Sequence, residues 1–114
     1  MIHIKRIYEP PEKKDGYRIL IDRLWPRGIT KQEAAIDLWL KEIAPSTELR
    51  KGFAHKEENF EKFRIEYSSE LQKNTEAVKK LKSIIKINET VTLIYAAKNP
   101  NLNHAIVLLA FIKP

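Results

Sequence analysis

A strand with apolar side chains at consecutive positions must be covered on both faces. The run Ile19-Leu20-Ile21, inside Tyr17–Ile21, is of that kind, and it asks for a layer above the sheet and another below. Val91-Thr92-Leu93-Ile94-Tyr95 is the clearest strand in the chain, rich in β-branched and aromatic residues. Ile2 to Ile7 alternates apolar and polar at period two, as a half-buried strand does, and Pro10-Pro11 ends it before a charged turn from Glu12 to Gly16.

Helical signals fall between and after these strands. Thr30 with Glu33 forms a capping box for a short helix. Ser46 can cap a second helix, with Glu48 in its first turn, running to about Ala54. A third starts near Glu57, with Phe60, Phe63, Tyr67 and Leu71 on one face, and Thr75 can cap a fourth with Val78, Leu81, Ile84 and Ile85 as its stripe. Lys79, Lys80, Lys82 and Lys86 on that helix read as solvated surface. Asn99 or Asn103 caps the last helix, with Pro100 suited to a first turn and a nearly all-apolar stretch from Ala105 to Ile112. Residues 36–43 fit a helix continuation or a short strand. This order predicts an α/β fold: a single small layered domain over 1–114, with a mostly parallel sheet of about four strands flanked by helices.

At 114 residues, one core hiding roughly two thirds of the unfolded surface is expected. The chain has no cysteine, which excludes disulfides, thiol nucleophiles and thiolate metal sites and suits a cytoplasmic location. No basic-then-apolar opening predicts a signal peptide, and the apolar run from Ala105 to Ile112 is too short to span a membrane. The net charge is +6; residues 1–31 and 76–114 each carry +4, while 32–75 carry −2. Any positive face should therefore come from the two ends, which makes nucleic acid one candidate partner.

Polar groups collect beyond two strand ends, where α/β sheets bind ligands. The first supplies Asp22, Arg23, Trp25 and Arg27; the second supplies Tyr95, Lys98, Asn103 and His104, then a helix N-terminus that attracts anions. If the strands are neighbours, these meet in one crevice suited to a phosphate or carboxylate. Arg23, Trp25, Arg27, Lys98 and Asn103 are the candidate ligand-binding residues, and Asp22, His104 and Tyr95 the candidate acid–base groups. Structural readings stand beside these. Asp22 can pair with Arg23 or Arg18, Trp25 can lid the sheet edge, Trp39 can be core, and His104 can be a hydrogen-bonded structural group. His55 can cap the negative end of its helix, and His3 carries no special signal. The histidines lack metal-ligand spacing, three glycines cannot build a dinucleotide loop, and no serine has a nucleophile-elbow context. No cofactor is expected.

The segments Asp22–Gly28, Leu38–Ser46, Glu48-Leu49-Arg50, Phe63–Tyr67 and Leu93–Ala97, with Asn103-His104-Ala105, resemble the YeaO-like branch of the domain of unknown function 488 family over nearly the whole chain. The resemblance implies a small cytoplasmic α/β protein with no assigned reaction, and it places a short strand at 36–43. The transcriptional-regulator labels of some relatives find no helix-turn-helix pattern here. Where the broader family shows a Cys-His-Arg run, this chain has Asn103-His104-Ala105; the histidine matches, the cysteine and arginine do not, and no shared thiol chemistry is expected. Gly52 and Ala54 stand where the branch commonly has tryptophan and glycine, which should loosen the packing before His55. The expectation is a small anionic ligand in the crevice, with acid–base catalysis as an extension. The alternatives are nucleic-acid binding by the basic ends and a protein-interaction module.

Overall fold

The computed structural model describes residues 1–113. Four strands, β1 (Ile2–Arg6), β2 (Tyr17–Leu20), β3 (Leu38–Trp39) and β4 (Val91–Tyr95), form one sheet in the order β1-β4-β2-β3. Every pairing is parallel, with Ile4 opposite Leu93, Ile19 opposite Leu93 and Leu20 opposite Trp39. The helices are α1 (Lys31–Ala34), α2 (Thr47–Phe53), α3 (Phe60–Lys73), α4 (Thr75–Ile87) and α5 (His104–Ile112). Among the described residues, no helix is long and apolar enough to cross a membrane.

The consecutive apolar residues of β2 split between two cores, as their pattern requires. Ile19 and Ile21 join Val91, Leu93 and Tyr95 in the larger core, which is completed by α2, α3, α4 and α5. Leu20 points the other way with Ile94, Ile7 and Ala34, beneath Trp25, Ile29, Ile36 and Trp39. Each such side chain contributes about 1.5–3 kcal/mol by leaving water. Truncating fully buried Leu20 to alanine would therefore cost about 2–5 kcal/mol.

Three boundaries differ in detail from the sequence reading. In 36–43 only Leu38–Trp39 is strand; Leu40 N–H makes the last bond to β2, on Leu20 O at 2.9 Å, and Lys41–Ile43 form a 3-10 turn. Thr75 is the first residue of α4 and not its cap. Asn74 holds that joint: its N–H donates to the carbonyls of Glu70 and Leu71, closing α3, and its side chain donates to Glu42 O at 2.7 Å. A 3-10 turn over Glu57–Asn59 precedes α3. The Thr30, Ser46 and Asn103 caps are formed, accepting from the N–H groups of Glu33, Leu49 and Ile106.

The turn before β2 is locked by charge. Asp15 and Arg18 are 5% and 3% exposed, and Arg18 Nη1 donates to Asp15 Oδ2 at 2.7 Å. Lys5 Nζ reaches both Asp15 oxygens at 3.1 Å, and Glu12 N–H adds a bond of 2.9 Å. Arg18 spends its other N–H groups on the carbonyls of Ala35 and Ala34, at 3.1 and 2.8 Å, tying β2 to the end of α1. It is thus unavailable to Asp22. Burial pushes the Asp15 carboxyl up, but the Glu12 N–H, Lys5 and Arg18 together hold it below the usual carboxylate range. Gly16, at φ +65°, is required here because a Cβ would come within 2.2 Å of Thr90 O.

Candidate functional site

Because β2 and β4 are adjacent and parallel, their two polar extensions leave the sheet side by side. They line a cleft of about 950 Å³ together with residues from the end of β1 and from α2 and α3. Asp22, Arg23, Arg27, Lys98, Asn103 and His104 all border it. Arg6, Tyr8, Arg50 and His55 border it as well, and the sequence reading gave none of these a ligand role.

Asp22 and His104 sit at the meeting point of the two strand ends. Asp22 Oδ2 accepts the Ala96 N–H at 3.2 Å, which fixes the carboxylate across the β2–β4 seam. Its Oδ1 lies 2.9 Å from His104 Nε2. Both atoms are buried and neither has another hydrogen-bond partner. The ring of His104 also meets that of Tyr67 edge-on, at 6.5 Å between centroids. Burial, then the carboxylates of Glu70 and Asp22, push the Tyr67 hydroxyl far up, and it donates to Ile43 O at 2.7 Å.

Two of the cleft arginines are held by backbone carbonyls. Arg23 Nε and Nη2 donate to Pro45 O at 3.2 Å and Ala44 O at 2.9 Å. Arg6 Nε is shared between Ala96 O and Ala97 O, at 3.2 and 3.1 Å. Neither guanidinium is neutralised by this, and each keeps N–H groups free. Of the six arginines in the chain, Arg18 pairs with Asp15 and Arg64 with Glu61. Among the described residues, Arg6, Arg23, Arg27 and Arg50 have no carboxylate partner, and all four line this cleft.

Three expected site residues are placed differently from the others. Trp25 does not border the cleft: its indole N–H donates to Ile29 O at 2.8 Å and its ring packs edge-on against Trp39 at 5.6 Å, in the smaller core. Tyr95 is 4% exposed and belongs to the larger core; burial, then Glu9, push its hydroxyl up. Asn103 borders the cleft but is committed to structure, accepting from Ile106 N–H and donating to Asn99 O. The alternative Asp22 ion pairs with Arg18 and Arg23 are not formed; His104 takes that place. Trp39 is half-buried, with its N–H on Asp22 O at 2.7 Å.

His55 was legible as a helix end, and the end is strained. Ala54 and His55 both adopt left-handed backbone, at φ 49° and 55°, a region that disfavours side chains. Beside it, a Cβ on Gly52 would meet nothing within 4 Å, so the space is open there.

Fold and site together define a parallel α/β protein with a cationic cleft at the carboxyl ends of its strands. The chain belongs to the domain of unknown function 488 family: the family model described as the inactive DUF488-N3 subclade matches residues 1–114. It is 49% identical over 112 residues to the uncharacterized protein YeaO of Escherichia coli K12, covering 98% of this chain and 96% of the relative. It is 36% identical over 107 residues to the uncharacterized protein Rv3073c of Mycobacterium tuberculosis H37Rv, covering 94% and 89%. The uncharacterized protein Mb3100c of Mycobacterium bovis matches to the same extent. No solved structure matches the chain.

Proposed function

We propose that the cleft binds a small anionic ligand through a phosphate or carboxylate group. The observation that carries this is the segregation of the arginines. Those with carboxylate partners lie elsewhere, and the four without one converge on the cleft, joined by Lys98. Arg6, Arg23 and Arg50 are half-buried and Arg27 and Lys98 exposed; cations gathered on one cleft repel one another, and an anion relieves that repulsion while using the free guanidinium N–H groups. Arg23, Arg27 and Lys98 are the ligand-binding residues of this reading, with Arg6 and Arg50 added.

Asp22 and His104 are the groups that acid–base chemistry would use, without Tyr95. Binding without turnover is the stronger form of the proposal. The subclade is described as inactive, and Asn103 stands as a helix cap where the broader family carries cysteine. The test is a thermal-shift screen of phosphorylated metabolites and carboxylates against wild type and an Arg27→Ala/Lys98→Ala variant. The expected result is a ligand that raises the melting temperature of wild type alone. Equal shifts in both proteins would remove the cleft from the account.

One observation also suits nucleic acid: the basic first and last segments do meet, since Arg6 and Lys98 border the same cleft. A strand that neutralises several of these cations would bind with a steep salt dependence. A flat salt response with oligonucleotides would rule that reading out.

A further inference from the structure

Given the anion-binding reading, two observations narrow the ligand. The first is size and charge. A cleft of about 950 Å³ sits at the upper end of small-molecule sites, far more than one phosphate fills. Its lining sets five fixed cations against the single carboxylate of Asp22, so a monoanion would leave most of that charge uncompensated. The second is Tyr8. Its ring lines the cleft and is 41% exposed, yet it is held in place. The hydroxyl donates to Arg27 O at 2.6 Å, and the Arg6 guanidinium lies over one ring face, 4.6 Å from the centroid, so a stacking ring would take the opposite face. An aromatic already fixed in place loses little side-chain entropy when a second ring stacks on it. Leu24, 61% exposed, also lines the cleft and adds apolar surface for a ligand body.

We infer that the ligand is a nucleoside di- or triphosphate, with its base on Tyr8 and its phosphates among the arginines. The phosphates supply the several negative charges that the lining calls for, and the base covers the rigid aromatic. Stacking of a base on an aromatic side chain is worth about tenfold in affinity.

Calorimetric titration of ADP and inorganic pyrophosphate, with EDTA present, into wild type, Tyr8→Leu and Tyr8→Phe tests this. Wild type should bind ADP about tenfold tighter than pyrophosphate. Tyr8→Leu should erase that preference while leaving pyrophosphate affinity within about twofold, and Tyr8→Phe should keep the preference. Equal wild-type affinities for ADP and pyrophosphate would overturn the nucleotide inference and leave the anion reading intact. Equal weakening of both ligands by Tyr8→Leu would make Tyr8 a support for Arg6 and Arg27, and would likewise overturn stacking. Binding of neither ligand to wild type would overturn the nucleotide inference and, with it, the phosphate form of the anion reading.

Discussion

Arg18 and Arg23 leave the same stretch of chain five positions apart, and their surroundings are opposite. Both guanidinium groups donate to two backbone carbonyls. Arg18 also meets the buried carboxylate of Asp15, and its charge is spent on holding β1, β2 and α1 together. Arg23 meets no carboxylate and faces the cleft with three other arginines in the same condition. A cation whose partner lies within the fold is structural. One held rigid by neutral carbonyls and left uncompensated is poised for a partner from outside.

Breaking the structural side should have the largest effect. Arg18→Ala leaves buried Asp15 with Lys5 as its one remaining cation and frees the carbonyls of Ala34 and Ala35, and should cost about 2–3 kcal/mol in urea unfolding, without changing anion affinity in whatever protein stays folded. Acid sharpens this. The folded Asp15 carboxyl is lowered, so its contribution is fully present above the unfolded value near ~3.9 and fades as pH falls through the lower folded one. The stability gap between wild type and Asp15→Asn should therefore close on acidification, in unfolding curves measured from pH 7 downward.

Arg23→Ala should lie between the two classes, losing about 1–2 kcal/mol of stability with its carbonyl bonds and weakening anion binding as well. Ala54→Gly should go the other way, raising stability by about 0.5–1 kcal/mol because glycine accepts the left-handed backbone there. Calorimetric melting would measure both. Arg27 is exposed and its side chain holds nothing, so Arg27→Ala should change stability by less than about 0.5 kcal/mol. Its effect should be on ligand affinity alone, by titration.

The parallel sheet was legible because period and apolar runs are local properties. Ile19-Leu20-Ile21 demanded cover on both faces, and both are covered, so the one core expected from length is divided in two by the sheet. The pairing of β2 with β4 was legible only as a condition, since register is a tertiary fact. Two of the five cleft cations, Arg6 and Arg50, were missed for the same reason. Arg6 breaks the alternation of its strand, standing where period two calls for an apolar residue after Ile2 and Ile4, and Arg50 reads as the surface of a helix end. Nothing in sequence tells a neutralised arginine from a free one. Trp25 shows the limit most plainly: sequence places an aromatic beyond a strand, but only the path of the turn to Ile29 decides which face receives it. Asp22 and His104, distant in sequence, were named together from strand-end logic, and their 2.9 Å contact adds the geometry.

The most direct test follows the side chains themselves. The six arginine Nε–H signals of the labelled protein can be monitored by NMR while pyrophosphate is added at constant ionic strength. The account predicts saturable shifts for Arg6, Arg23, Arg27 and Arg50, with Arg18 and Arg64 unmoved. Shifts that appear equally in all six, or in none of the four cleft arginines, would contradict it.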